Sequence, residues 1–149
     1  MFPNLNLPKY DFNLKRKDGI LYIFDVIRKK NIKLTQEEWV RQHLIHFLIN
    51  EKNYPQSLIS VEKGLTYNGM NKRTDIVCYN QSAQPILLVE CKSANVALNQ
   101  AVFEQIARYN FDLKVPYLLV TNGLVHLCCE MNYQKQNVNF ITEIPDFAK

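Results

Sequence analysis

The stretch Thr74-Asp75-Ile76-Val77-Cys78-Tyr79, followed after a polar loop by Ile86-Leu87-Leu88-Val89-Glu90-Cys91-Lys92, decides how this chain is read. Four apolar residues in succession, Ile86 to Val89, mark a central strand covered on both faces. The run ends at Glu90 and Lys92, which period-two alternation points to one face. If Tyr79 and Ile86 pair across the hairpin, then Val77 pairs with Leu88 and Asp75 with Glu90. Two carboxylates would then stand opposite each other, about 4.5–5.5 Å apart at Cβ. They repel unless a cation lies between them. A divalent metal ion removes that penalty, and Lys92 one step along sits beside the metal's water and the reacting group. The arrangement suits metal-assisted hydrolysis of a phosphodiester. A salt-bridged strand end is the plain alternative, and these residues alone do not choose between the two. With no metal bound, Asp75→Asn or Glu90→Gln is expected to be neutral or stabilising, since either removes half of a repulsive pair. Asp112-Leu113-Lys114 repeats the acid-x-Lys spacing but follows a helix and is set aside.

Outward from this hairpin the chain alternates helix and strand. Thr35 to Asn50 reads as a helix, with Val40, Leu44, Phe47 and Leu48 as one buried stripe and Thr35 with Glu38 as a capping box. Strands are expected at Leu58 to Tyr67, closed by an Asn68-Gly69 turn, at Thr74 to Tyr79 and at Pro85 to Lys92. A second helix is expected from about Val96 to Phe111. Strands then follow at Val115 to Thr121, stopped by Asn122-Gly123, at Leu124 to Cys129, and at Phe140 to Ile144. Residues 1–33 read as a basic N-terminal arm in which Ile20 to Ile27 is strand or short helix, and residues 34–149 as the folded domain. The order gives a single domain of the α/β (α+β mixed) class, a mixed sheet flanked by helices.

Composition sets the limits. The chain has 149 residues, 47% of them hydrophobic, with four glycines and six prolines, which excludes disordered and collagen-like readings. No apolar run is long enough to span a membrane, and Met1 to Tyr10 has no secretory h-region, so a cytoplasmic protein is expected. The net charge of +4 is uneven, because Lys15, Arg16, Lys17, Arg28, Lys29, Lys30 and Lys33 crowd the leading segment. Such a segment could lie along a phosphate backbone, but from charge alone a solvated surface is the favoured reading. Cys78, Cys91, Cys128 and Cys129 lack zinc spacing and read as reduced, structural thiols. His43, His46 and His126 read as surface or packing residues, and Trp39 as core. No GxxxxGK[ST] motif occurs, hence no ATPase motor. The chain is expected to be a freestanding domain, a truncated piece, or one part of an assembly.

Thr74-Asp75 with Glu90-Cys91-Lys92 resembles the PD-(D/E)xK nuclease superfamily, Thr74 replacing the usual proline. The ordered set Glu37-Glu38-Trp39-Val40-Arg41-Gln42, Asp75-Ile76-Val77, Val89-Glu90-Cys91-Lys92, Gln105-Ile106-Ala107-Arg108-Tyr109 and Thr121-Asn122-Gly123 resembles the N-terminal nuclease domain of type I restriction enzyme R subunits, over residues 34–145. The resemblance implies a restriction-endonuclease-like fold and a DNA endonuclease dependent on Mg2+ or Mn2+. It implies DNA as partner, with a separate translocase or restriction-system subunit. It also implies that Asp75, Glu90 and the Cys91 backbone carbonyl ligate the metal and that Lys92 assists. Glu38, preferred to Glu37, would orient a metal water, and Gln105 and Tyr109, sharing a helical face with Val102 and Ile106, would line the cleft. A nuclease-fold module that binds nucleic acid or a partner protein without cutting is the alternative.

Overall fold

The computed structural model of the chain describes residues 2–62, 64–67 and 70–148, with residues 64–67 and 70–73 as backbone alone. Its centre is a six-stranded mixed sheet. In spatial order the strands are β11 (Asn137–Ile141), β10 (His126–Asn132), β9 (Tyr117–Thr121), β8 (Pro85–Cys91), β7 (Ile76–Tyr79) and β4 (Ile59–Val61). β8 and β9 run parallel, and the crossover between them carries α2 (Gln100–Asn110); the other neighbours are antiparallel. α1 (Gln36–Asn50) covers the opposite face. Alternation along β8 explains the two layers. Leu87, Val89 and Cys91 pack with Val40, Leu44, Ile45 and Leu48 of α1, while Leu88 packs with Phe103 and Ala107 of α2. This is the mixed α/β single domain that the element order implies.

Helix starts follow their caps. The Glu38 amide donates to Thr35 Oγ1 at 3.0 Å. The other half of the capping box is not made, because the Glu38 carboxylate is held by Arg28 and Arg41. α2 begins four residues later than expected. Asn99 Oδ1 accepts the Val102 amide at 2.9 Å, and Asn122 Nδ2 donates to the Val96 carbonyl at 2.8 Å, which keeps 96–98 extended as a loop.

The segment expected to be a basic arm carries structure of its own. β1 (Leu14–Lys17), β2 (Ile20–Asp25) and β3 (Lys30–Lys33) form an antiparallel meander. Asp18 and Gly19 make its first turn with φ of 52° and 78°, the double positive φ of a type I′ hairpin. Residues 2–13 strap over α1. Trp39 Nε1 donates to the Pro3 carbonyl at 2.8 Å, and Phe2 and Phe12 lie against the Trp39 ring. Tyr10 and Phe12 enclose His43 and His46, so these histidines pack, and burial holds both below the ordinary imidazole range. Charge counting missed this because the lysines and arginines cluster from Lys15 onward, after the apolar side chains that dock.

The other expectations divide cleanly. Residues 58–67 form two strands, β4 and β5 (Gly64–Tyr67), since Glu62 turns the chain at φ 54°. β5 pairs with β6 (Met70–Arg73), and the Asn68-Gly69 turn lies outside the described residues. The four cysteines are free and buried, and burial pushes the thiols of Cys128 and Cys129 up to about 12. No helix among the described residues is long and apolar enough to cross a membrane.

Gly123 is where backbone freedom matters most. Its φ is 85°, and a Cβ built there would lie 2.7 Å from Leu5 Cδ2. The Asn6 amide also donates to the Gly123 carbonyl at 2.8 Å. Gly19 has positive φ but open space around it. Gly19→Ala should therefore cost only the conformational strain, about 1–2 kcal/mol. Gly123→Ala should cost that and displace Leu5 as well. At about 2–4 °C per kcal/mol, thermal melts should rank wild type above Gly19→Ala and Gly19→Ala above Gly123→Ala. Equal melting of the two variants would show that the strap does not depend on this approach.

Candidate functional site

The β7–β8 hairpin pairs Val77 with Leu88 and Ile76 with Val89, so its register carries Asp75 to the position opposite Glu90. The far end differs from expectation: a bulge at Cys78/Tyr79 lets Tyr79 pair with Pro85 instead of Ile86. That irregularity lies away from the carboxylates and leaves them opposed. The Lys92 amide donates to the Thr121 carbonyl at 2.8 Å, which ties the end of β8 to β9.

Asp75 and Glu90 are not equivalent. Asp75 Oδ2 accepts the Cys91 amide at 2.7 Å, and Oδ1 accepts Arg41 Nη2 at 3.0 Å. Glu90 stays short of positive charge. Burial first, and then the Asp75 carboxylate, push its carboxyl up to about 8, with Lys92 offsetting part of the rise.

Behind this pair lies a buried ionic cluster. Arg41 donates Nη1 to Glu38 at 2.6 Å and Nη2 to Glu37 at 2.9 Å as well as to Asp75. Arg28, from the β2–β3 turn, donates Nη2 to Glu38 at 2.8 Å and Nε to Asp25 at 2.6 Å. Gln42 Nε2 bridges Asp25 and Glu38 at 2.9 and 3.0 Å. Asp25 is wholly buried. Burial alone would raise its pKa, but hydrogen bonds from the Arg28 amide, the Arg28 side chain and Gln42 outweigh that and hold it below the usual carboxylate range. Arg28, Arg41, Gln42 and Asp25 were not singled out from sequence. The available signal was polar residues at buried helical spacing, Glu38-Arg41-Gln42, beside the apolar stripe.

The structure separates the two first-helix glutamates. Glu38 is buried and neutralised by both arginines. Glu37 is half-buried, and burial followed by the Asp75 charge raise its carboxyl, with Arg41 and Lys92 counteracting. Glu37 is thus the helix carboxylate that shares its field with Asp75 and Lys92. Gln105 and Tyr109 lie on the exposed side of α2, Tyr109 at 54% exposure. The stripe buried by α2 is Phe103, Ala107 and Asn110, so Gln105 is not embedded in an apolar face. The decoy Asp112-Leu113-Lys114 falls at a 3-10 turn after α2.

The donor set fits a hard divalent cation of the Mg2+ kind, which keeps several waters and binds through one or two carboxylates. Two carboxylates brought opposite each other by the hairpin register, one of them disfavoured as an anion by burial and by its neighbour, could supply oxygen ligands to such an ion. Among the described residues no group of three or more His, Cys, Asp or Glu side chains is placed to hold a metal, and the carboxylates that the hairpin brings together number two, Asp75 and Glu90.

Comparison with known proteins agrees with this geometry at the level of family and fold. The family described as type I restriction enzyme R protein N terminus matches residues 36–145. A solved fragment assigned as an HsdR subunit of a type I restriction enzyme from Vibrio vulnificus YJ016 has a similar fold, with a TM-score of 0.53 at 20% identity. The match covers 76% of this chain and 24% of that one, so the chain spans about a quarter of that relative's length. No curated protein matches the sequence.

The asymmetry of the carboxylates revises the expectation that either charge can be removed freely. Glu90→Gln should melt at or above wild type in chelator. Asp75→Asn should melt below it, because the Cys91 amide and Arg41 can no longer both find an acceptor, a loss of about 1–3 kcal/mol. The pH dependence has a definite sign. Glu90 binds its proton more tightly folded than unfolded, so that stability is full below the unfolded pKa of 4.5 and is lost as pH rises through about 8. Metal-free wild type should therefore melt progressively lower across that window, and Glu90→Gln should flatten the slope. A wild-type curve without this slope, or parity of Asp75→Asn with wild type, would refute the assigned contacts.

Proposed function

The chain belongs to the type I restriction enzyme R protein N-terminal family, and from that premise we propose that it is a divalent-metal-dependent DNA endonuclease domain of the PD-(D/E)xK kind. The observation that carries the reading is the β7–β8 register, which sets Asp75 opposite Glu90 at the end of the central strand, with Lys92 on the same face. Asp75, Glu90 and the Cys91 backbone carbonyl would hold Mg2+ or Mn2+. When bound, the ion would supply an activated water and neutralise charge on the phosphate.

The chain's own residues do the rest. Lys92, on the same face as Glu90, offers a cation to the developing charge. Arg41 fixes Asp75 from behind. Glu38, tied to Arg28 and Arg41, holds Arg41 in place, while Glu37, paired with Arg41 through one oxygen and half-exposed, would orient a water beside Asp75. Gln105 and Tyr109, on the open side of α2, would contact DNA at the rim. A separate translocase or another restriction-system subunit would complete the assembly.

A second reading has its own support. Arg41 already places a positive charge on Asp75 Oδ1, as a fold that binds nucleic acid or a partner protein without cutting would allow. Cleavage assays on plasmid, linear and single-stranded DNA with Mg2+ or Mn2+ decide between them. Asp75→Ala, Glu90→Ala and Lys92→Ala should each abolish cutting, with Lys92→Ala leaving the melting temperature near wild type. Cutting by Lys92→Ala at the wild-type single-turnover rate would overturn the catalytic assignment, and absence of cutting by wild type with either metal would favour the silent module.

A further inference from the structure

The meander β1–β3 has two unlike faces. Cross-strand partners share a face, so Leu14, Ile23 and Ile32 form one row and Lys15, Tyr22 and Lys33 the other. Ile23 is fully buried, which makes its face the inner one and turns the Tyr22 row outward. Alternation adds Lys17, Ile20, Phe24 and Asn31 to the outer face. Lys15, Lys17 and Lys33 are exposed, and none makes an ion pair among the described residues. None of these strand positions is acidic. The run Lys15-Arg16-Lys17 is split by the pleat: Arg16 points to the other face and donates Nη1 to the Gly19 carbonyl at 3.3 Å.

Two aromatic side chains, Tyr22 and Phe24, each half-buried, therefore stand on the outer side of the central strand, about 6.6 Å apart along it. Lysines flank Tyr22 on both neighbouring strands, about 4.7–4.9 Å away at the backbone. Edge lysines can serve to block strand addition. That purpose accounts for Lys15 and Lys33 but not for aromatics on the strand between them. Ammonium groups attract phosphate, and an aromatic face stacks only with a base that is not already stacked in a duplex.

We infer that the outward face of β1–β3 binds single-stranded nucleic acid, with Tyr22 as the stacking platform, Phe24 as its neighbour, and Lys15, Lys17 and Lys33 on the phosphates. The strand turn at Arg28 joins this sheet to the Glu38–Arg41 cluster, so the face is rigidly linked to the candidate catalytic end of α1.

The test is fluorescence anisotropy of the full chain with labelled oligothymidine and with a duplex of equal length, in chelator. Binding is then read without cleavage, and its outcome stands apart from that of the nuclease reading. Wild type should favour the single strand. Tyr22→Leu, which keeps an apolar cover, should weaken single-strand binding about 5- to 150-fold, the range for loss of one stacked base, while Tyr22→Phe keeps it. Lys15→Gln with Lys33→Gln, both at exposed positions, should flatten the log K against log salt slope by about 1.4 on single strands. Melting curves identify any variant that fails to fold, and the lysine pair reports on the face independently of Tyr22. An unchanged slope, wild-type binding by folded Tyr22→Leu, or a preference for duplex that ignores Tyr22 would each overturn the proposal. No binding to either nucleic acid would return the face to solvent or to an acidic protein partner.

Discussion

Two buried guanidinium groups hold this structure together. Arg28 belongs to the meander and Arg41 to α1, and through Asp25, Glu38 and Asp75 they join three stretches that are far apart in sequence. A charge left alone in such a place costs about 3–5 kcal/mol, whereas the complete cluster contributes little net stability compared with an apolar core. Its effect is therefore one of fit. The meander, the helix and the strand hairpin satisfy one another only when all are in place. The hydrophobic layers above and below the sheet supply the driving force, and the arginines set where the hairpin's open end comes to rest.

The same cluster explains why a reactive end can exist on an otherwise dry strand. Arg41 and the Cys91 amide each hydrogen-bond one oxygen of Asp75. Glu90 receives no such support, and its charge is the one the protein resists. A site with a fixed anion and a reluctant one beside it differs from a symmetric acid pair. The first is pre-set in geometry, and the second changes charge as its surroundings change. β8 and β9, running parallel, end together here, and the Lys92–Thr121 bond keeps those ends in step.

Much of this was legible in the sequence, and the limits have physical causes. The register Val77–Leu88 followed from alternation and loop length alone, and the helix from Thr35 to Asn50 from its stripe and cap. Tyr79 was misplaced by one residue because a bulge costs nothing that local pattern reveals. The start of α2 was missed because Val96, Ala97 and Leu98 look helical until Asn122, from another strand, fixes the Val96 carbonyl. Which of Glu37 and Glu38 is buried could not be read from a helical wheel, since Arg28, ten residues before Glu38, reaches across from the meander to pair with it. The leading segment misled most. Its lysines advertise solvent, yet Phe2, Leu5, Tyr10 and Phe12 are spaced for docking on a surface that only the finished domain offers.

That docking has a consequence for how the chain is made. Asn6 is bound through its carbonyl to His126, 120 residues later in the sequence, and through its amide to Gly123. Residues 2–13 leave a ribosome before the sheet they dock on, and so find their partners late. Contacts of such long sequence separation slow folding, and the strap's apolar rings must wait in water while most of the sheet is still being synthesised. The basic cluster that follows at Lys15, Arg16 and Lys17 helps to keep the segment soluble during that wait.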